Sequence, residues 1–157
     1  MISPSPSIQR AVSFYAELSA ILIRPDGSRL DLGVLSRKVV TNAGVQFLRD
    51  CFMNTSEAEN INWHDSGTGT GAEAVTDTTI TAAGPARVSG TQSTPASNQY
   101  RSVGTIAYTS TLAITEHGLF TASTSGTLWD RSVFSAINVV NGDSIQFTYT
   151  LTINAGG

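Results

Sequence analysis

The chain contains a single cysteine, Cys51, among its 157 residues. One cysteine cannot form an internal disulfide, so we expect a fold that does not depend on an oxidising compartment. Charge is also scarce, since 13% of the residues are charged and the formal net charge is -3 at pH 7. Because this balance supplies no basic surface, we expect no nucleic-acid partner.

Long hydrophobic runs are missing as well. No apolar stretch approaches the length of a membrane span, and Met1 to Ser7 show neither the basic nor the apolar region of a cleaved signal. We therefore expect no membrane partner and no secretion by such a signal. Hydrophobic residues still make up 40% of the chain, which is enough for the core of one domain. We assign residues 11–157 to this domain and residues 1–10, where prolines lie among serines, to an N-terminal arm.

The final third of the chain carries the clearest strand pattern. From Ile145 to Ile153, large apolar residues alternate with small polar ones, which is the period of a strand with one buried face. Asn141-Gly142 precedes this run and predicts a hairpin with residues 134–140, because both residues tolerate positive φ. The segment from Ser123 to Gly126 predicts another turn between two strands.

The first third of the chain predicts a hairpin and a helix. Pro25-Asp26-Gly27-Ser28 predicts a tight turn inside the apolar segment from Tyr15 to Leu35. Thr41-Asn42 offers capping oxygens, and the apolar positions between Ala43 and Met53 predict one amphipathic helix of about three turns. Cys51 belongs to the apolar stripe of this helix, and we expect it to lie in the core.

The middle of the chain is less regular. Residues 61–66 predict a short strand, and the glycine-rich residues 67–71 predict a flexible loop. Gly104 predicts a bulge or bend in a later strand. Together, the strands and the spacing of the turns predict an all-β fold, a jelly-roll-like antiparallel β-sandwich of about eight strands with one short α-helix.

Three motifs in the final third resemble those of small structural proteins of tailed bacteriophages. They are ITEHGLF from Ile114 to Phe120, GTLWDRSVF from Gly126 to Phe134, and NGDSIQF from Asn141 to Phe147. Weaker similarity continues upstream through Val39 to Gly44 and Trp63 to Gly69. The resemblance covers most of the chain from Val39 onward and implies a virion component. None of its motifs is a catalytic signature.

The resemblance implies a capsid cement or decoration protein that binds the lattice of the major capsid protein and stabilises the head. It implies a homo-oligomer, with a trimer favoured, on the capsid surface of a virion assembled in the host cytoplasm. The structural alternative is a tail or neck component, such as a fibre adaptor or a tail-tip subunit. A host-glycan-binding module is a further alternative, for which Trp63, Tyr100 and Trp129 would form the stacking surface. We expect no enzyme activity and no cofactor.

Two groups of residues are candidates for partner contacts and for internal ion pairs. The arm and the glycine-rich loop are suited to reaching other subunits, because neither has to build the sheet. Charged residues inside predicted strands need a partner, such as Arg87 or Arg101 for the carboxylates, because an unpaired buried charge is costly. The partner-contact candidates are Ile2, Pro4, Pro6, Ile8, Gly67, Gly69 and Gly71, and the structural ion-pair candidates are Glu116, Asp130 and Arg131.

Three patterns resemble chemical sites without meeting their requirements. His64-Asp65-Ser66 contains the residue types of a catalytic triad, but adjacent strand residues point to opposite faces, so we expect no triad there. His64 and His117 with Asp65 or Glu116 would be a sparse two-histidine, one-carboxylate metal set, and structural histidines are the more common outcome. Gly67-x-Gly69-x-Gly71 lacks the lysine and the following helix of a phosphate loop.

Overall fold

The computed structural model describes residues 11–37, 40–53 and 60–155. Within these ranges the chain forms two antiparallel β-sheets, packed face to face, and one short helix. The predicted all-β sandwich with one short helix is confirmed. The elements are β1 Ser13–Ile23, β2 Arg29–Ser36, α1 Asn42–Phe52, β3 Trp63–Gly67, β4 Val88–Ser89, β5 Thr91–Ser93, β6 Gln99–Ala107, β7 Leu112–Phe120, β8 Leu128–Val139 and β9 Ser144–Asn154.

The first sheet has five strands in the order β2-β1-β9-β6-β5. Its central strand, β9, pairs along its whole length with β1, from Asn154 opposite Ser13 to Ser144 opposite Ile23. The alternation along β9 follows the sequence pattern, because successive side chains of a strand point to opposite faces. The inward-facing residues are Ile145, Phe147, Tyr149 and Leu151, and all four are buried.

The second sheet has four strands in the order β4-β3-β7-β8. Residues 68–87 fold back over its outer face, and Thr68 N donates to the carbonyl oxygen of Thr81 at 3.0 Å. We call this segment the covering loop. Both faces of β7 and β8 are consequently buried at that end of the sheet. Ile80 of the covering loop packs against Trp63, Phe120 and Leu128 of the sheet.

The main hydrophobic core lies between the inner faces of the two sheets. Its largest buried side chains include Tyr108 and Tyr149, whose hydroxyl groups stay hydrogen-bonded. The Tyr108 hydroxyl donates to Ser66 Oγ at 2.9 Å, and the Tyr149 hydroxyl accepts from Trp129 Nε1 at 2.8 Å. These bonds matter because a buried hydroxyl without a partner is costly.

Helix α1 begins and ends close to the predicted residues. Thr41 caps it, since its Oγ1 accepts the N–H of Gly44 at 3.0 Å. The closest contact with the sheet is at Gly44, where a Cβ would lie 2.8 Å from the carbonyl oxygen of Trp129. The side of the helix that carries Gly44 therefore faces the sheet. The apolar stripe predicted between Ala43 and Met53 is only partly right. Phe47 and Leu48 pack against the core and Cys51 is half-buried, but Val45 and Phe52 are exposed. Among the described residues, no helix has the length and hydrophobicity required to cross a membrane.

The predicted turns at residues 25–28 and 123–126 are confirmed. β1 and β2 pair across the first turn, where Gly27 has a φ of 84°. β7 and β8 pair across the second, where Ser125 and Gly126 have φ values of 55° and 70°. These positions explain the glycines, since glycine adopts positive φ without steric cost.

The predicted hairpin at Asn141-Gly142 is wrong, although the turn itself is present. Gly142 has a φ of 91°, and Asp143 N donates to the carbonyl oxygen of Val140 at 3.1 Å. However, β8 pairs with β7 in the second sheet, whereas β9 pairs with β1 and β6 in the first. Because both edges of β9 are occupied, this turn carries the chain from one sheet to the other.

The predicted bulge at Gly104 is also wrong. β6 pairs with β9 without a register shift, and Gly104 lies opposite Phe147. A Cβ at Gly104 would lie 2.5 Å from the ring of His64. The glycine therefore admits a neighbouring side chain instead of bending the strand.

Candidate functional site

Two histidines meet in the interior of the sandwich. His64 on β3 and His117 on β7 lie on paired strands, and His64 Nδ1 is 3.0 Å from His117 Nε2. The other ring nitrogen of His64, Nε2, is 2.8 Å from the Oγ of Ser102 on β6. All three side chains have an exposed fraction of 0%. We call this group the histidine bridge, because it connects the second sheet to the first.

The histidine bridge has the connectivity of a serine–histidine relay but no room for a substrate. A Cβ at Gly90 would lie 2.6 Å from His64 Nε2, and one at Gly104 would lie 2.5 Å from the same ring. A catalytic serine needs space next to its Oγ for the reacting atom. Because the backbone closes over Ser102, the histidine bridge is a structural element of the core.

Burial keeps both imidazoles neutral at pH 7. It lowers the pKa of His64 from 6.5 to about 4. Burial also lowers the pKa of His117 well below 6.5, and the neighbouring His64 acts in the same direction. The ring of Phe147 adds an apolar wall, with its centroid 4.6 Å from that of His117. Such surroundings disfavour the charged imidazolium.

The structure does not bring together the residues of the catalytic triad or of the metal site that the sequence suggested. Asp65 accepts a hydrogen bond from Arg87 Nε at 3.2 Å, and Ser66 Oγ accepts from Tyr108, so His64-Asp65-Ser66 is not a triad. Asp65 and Glu116 are held in ion pairs with arginines, so neither completes the two-histidine metal set. In the part of the chain that the structure describes, no three His, Cys, Asp or Glu side chains cluster as a metal site requires.

A second buried polar group lies under the covering loop. Glu116 on β7 and Arg131 on β8 form an ion pair, with 2.7 Å between Arg131 Nη2 and Glu116 Oε2. Glu116 Oε1 accepts the backbone N–H groups of Gly69 at 2.9 Å and Thr81 at 2.7 Å. Arg131 Nη1 also lies 2.7 Å from a carboxylate oxygen of Asp77. We call Glu116, Arg131 and Asp77 the loop clasp, because they fasten the covering loop to the sheet.

The glycines expected to contact partners differ in position. Gly67 is the last residue of β3 and is buried, Gly69 is half-buried, and Gly71 is exposed. A Cβ at Gly67 would lie 2.5 Å from Glu116 Oε1, so this glycine makes room for the loop clasp. The predicted flexible loop therefore starts after Gly67. The remaining partner-contact candidates, Ile2, Pro4, Pro6 and Ile8, lie outside the described residues.

Asp130 stays apart from the loop clasp and forms no ion pair within the described ranges. Its Oδ1 accepts a hydrogen bond from Ser132 Oγ at 3.1 Å. Burial raises the pKa of Asp130 well above 3.8, and the charge of Glu73 acts in the same direction. The cations considered as partners are engaged elsewhere, since Arg87 pairs with another carboxylate and Arg101 donates to a threonine.

The aromatic residues considered for glycan stacking are engaged in packing. Trp129 is only 2% exposed and donates its Nε1–H group to the hydroxyl of Tyr149. The Tyr100 hydroxyl donates to the carbonyl oxygen of Ile61. Trp63 packs beneath the covering loop. A stacking platform needs open ring faces, and Trp129 offers none.

An apolar groove opens at one end of the sandwich. Phe14 and Ile153 lie opposite each other on β1 and β9 and continue the inward-facing row of the first sheet, yet both are partly exposed. With Leu48, Tyr100 and Trp129, they line a groove of about 270 Å³. None of its lining residues is charged. We call this groove the apolar mouth.

No protein family, no curated protein and no solved structure matches this chain. No site residue is therefore assigned from a relative. Two members of the buried groups, Ser102 and Asp77, were not predicted from the sequence, and neither was Gly90, which packs against the histidine bridge. A glycine inside or beside a strand indicates a close approach, but it does not identify the side chain that approaches.

Proposed function

We propose that this chain is a structural protein of a tailed-bacteriophage virion. Its role is that of a capsid cement or decoration protein, which binds the lattice of the major capsid protein and stabilises the head. The resemblance of the strand motifs suggests this setting. One structural observation supports a structural role, namely that the titratable residues of the three motifs are all buried within the fold. They are Glu116, His117, Asp130, Arg131 and Asp143.

The buried motif residues hold the domain together. Glu116 and Arg131 fasten the covering loop to the second sheet. His117 belongs to the histidine bridge between the two sheets. Removing one member of a buried, hydrogen-bonded charge pair is strongly destabilising, so the fold depends on Glu116 and Arg131 being present together. Cohesion of this kind suits a small protein that persists in an assembled particle.

Parts of the surface left for a partner are uncharged, although Glu17 and Arg101 flank Thr150 on the outer face of the first sheet. On β9 the outward-facing residues Thr148, Thr150 and Thr152 are half-buried threonines, and the apolar mouth is lined without charge. Surfaces of this kind bind through shape and buried area more than through electrostatic steering. This character favours a fixed position on a protein lattice over capture of a charged ligand.

Binding to heads tests the proposal directly. Purified protein should bind mature heads that lack it and raise their melting temperature, measured by scanning calorimetry with and without the protein. Immunogold labelling of complete virions gives an independent test. Label on the head surface supports the cement role, whereas label confined to the tail overturns it and favours the tail or neck alternative.

Removal of residues 1–10 tests the arm. The arm joins the domain beside Val12, which lies next to Tyr100 and Ile153 at the apolar end of the sandwich. We expect the truncated chain to keep its urea unfolding midpoint and to bind heads more weakly. Unchanged head binding and head stability would refute an arm that contacts neighbouring subunits.

A further inference from the structure

The histidine bridge contains both histidines of the chain, and the proposed role on the capsid uses it only as a connection between the two sheets. We propose that it is an acid-sensitive latch between the two sheets, in which uptake of one proton by the His64–His117 pair releases β3 from β6. The latch consists of described residues alone. It does not depend on the virion assignment.

The hydrogen-bond pattern of the bridge accommodates two protons and no third. A neutral imidazole pair carries two N–H protons on four ring nitrogens. One arrangement leaves no ring N–H without an acceptor: His117 Nε2 donates to His64 Nδ1, and His64 Nε2 donates to Ser102 Oγ. A third proton has to sit on His117 Nδ1, which is buried and has no hydrogen-bond partner among the described residues.

The added proton therefore leaves a charged pair with an unsatisfied N–H group in the interior. Both features are costly, because a buried donor without an acceptor loses its hydrogen bond to water and a buried charge loses its hydration. Opening the contact between β3 and β6 exposes His117 Nδ1 to water and removes both costs. Acid consequently favours the open form.

Of the described carboxylates, the two that are adjacent in sequence to the histidines do not face the pair to balance the charge. Asp65 on β3 points away from His64 and is paired with Arg87. Glu116 on β7 points away from His117 and is held in the loop clasp.

The remaining elements around the bridge supply no free counter-charge within the described ranges. On β6, Arg101 lies next to Ser102 and points outward. β4 consists of two uncharged residues. Asp130 on β8 has a pKa raised well above 3.8 by burial, which favours its neutral form. The titratable hydroxyls that face the interior, those of Tyr108 and Tyr149, are hydrogen-bonded to Ser66 and Trp129.

The part of the fold that opens is short. β3 has five residues and β4 has two, whereas β1 and β9 have eleven each and pair along their whole length. Towards the first sheet, β3 is hydrogen-bonded through His64 to Ser102 and through Ser66 to Tyr108. Release of the first bond leaves the Ser66–Tyr108 bond as the remaining one of these two links.

Amide hydrogen exchange of the full chain, corrected for the intrinsic exchange rate at each pH, tests the latch. Burial sets the pKa of His64 at about 4 in the closed form, against 6.5 when it is exposed. Between these two pKa values the open form binds more protons than the closed form. Protection of the backbone amides is therefore full above 6.5, the pKa of an exposed histidine, and falls as the pH is lowered. From His64 alone, opening should increase about 70-fold between about pH 7.5 and 4.5. We expect this increase at β3 and its short partner β4, with β1, β6 and β9 still protected, because the backbone of β6 pairs with β9 and β5.

Variants separate the latch from general acid sensitivity. The double variant His64→Gln/His117→Gln removes both titrating groups and should lose the pH-dependent step. Ser102→Ala keeps both histidines and should retain the step. NMR titration of the two imidazoles in the wild-type chain keeps the test decisive even where the double variant does not fold. An imidazole that titrates near its ordinary pKa, or protection lost evenly across both sheets, overturns the proposal.

Discussion

Replacing Glu116 by glutamine is the sharpest test of the loop clasp. The substitution keeps the size of the side chain and removes its charge. Glu116 is fully buried and accepts hydrogen bonds from Arg131, Gly69 and Thr81. A glutamine Oε1 can still accept from the two backbone donors, but its NH₂ group then faces the guanidinium of Arg131. The amide NH₂ and the guanidinium are both hydrogen-bond donors, so they cannot bond to each other. Arg131 keeps Asp77 as its remaining counter-ion.

The expected loss follows from the burial of the pair. Removing one partner of a buried ion pair costs about 3 to 5 kcal/mol, because the other charge is left uncompensated. Asp77 still lies 2.7 Å from Arg131, so we expect the lower end, a loss of about 3 kcal/mol in the free energy of unfolding. Domains are stable by roughly 5 to 15 kcal/mol, so the variant should still fold. With urea slopes of about 1 to 3 kcal/mol per molar, the unfolding midpoint should fall by about 1 to 3 M.

Urea unfolding followed by tryptophan fluorescence measures this loss, since Trp129 is buried in the native state. Glu17→Gln is the matched control, because Glu17 pairs with Arg37 at 3.1 Å on the surface. Pairs between exposed charges contribute only about 0.2 to 1 kcal/mol, so the control variant should lose no more than that. Hydrogen exchange should rise at the amides of Gly69 and Thr81 in Glu116→Gln and stay unchanged in Glu17→Gln.

A double-mutant cycle with Arg131→Met isolates the interaction between the two side chains. Residues in contact within one ion-pair network have coupling energies of about 0.5 to 3 kcal/mol. We expect a value of at least about 1 kcal/mol for Glu116 and Arg131, given their burial. A loss for Glu116→Gln no larger than for Glu17→Gln, or strictly additive losses in the cycle, would refute the reasoning.

Two further substitutions test close packing and helix capping. Gly104→Ala should lose about 1 to 3 kcal/mol in urea unfolding, because its Cβ would lie 2.5 Å from the His64 ring. Gly71→Ala, with no atom within 4 Å of its Cβ, is the control and should change stability by less than about 0.5 kcal/mol; equal losses would contradict the tight contact. Thr41→Ala should lose about 1 to 2 kcal/mol in thermal unfolding, since Thr41 caps α1 and donates to the carbonyl oxygen of Leu128. An unchanged melting temperature would show that the cap contributes nothing.

Features set by neighbouring residues could be predicted from the sequence. The alternation from Ile145 to Ile153 predicts the buried face of β9, because the side-chain period of a strand is a property of its backbone. The turn at residues 25–28 and the cap at Thr41 depend on a few adjacent residues, and both are found where expected. The ion pair of Glu116 with Arg131 follows from the cost of an unpaired charge in a strand, although the sequence left several partners open.

Features set by strand pairing could not be predicted in this way. Asn141-Gly142 forms a turn in the expected place, but the turn joins two sheets because β9 already has a neighbour on each side. His64 meets Ser102 across a sequence separation of 38 residues, and no local pattern specifies which strands face each other. Because the sequence does not show which strand faces Gly104, this glycine was interpreted as a bulge. In the structure it is the position on which the His64 ring packs.

The two sheets differ in a way that bears on where partners bind. At the end of the second sheet that carries Glu116 and Arg131, the first sheet covers one face and the covering loop the other, so these two charged residues must be satisfied within the fold. Substitutions at Glu116 or Arg131 that abolish assembly would therefore act by destabilising the fold. Milder substitutions at these positions should lower the free energy of unfolding before they weaken binding to a partner. Thr148 and Thr150 on the first sheet face outward, and the apolar mouth stays open. Contacts made by the domain with a partner should consequently map to these two surfaces, where substitutions change binding without changing the free energy of unfolding.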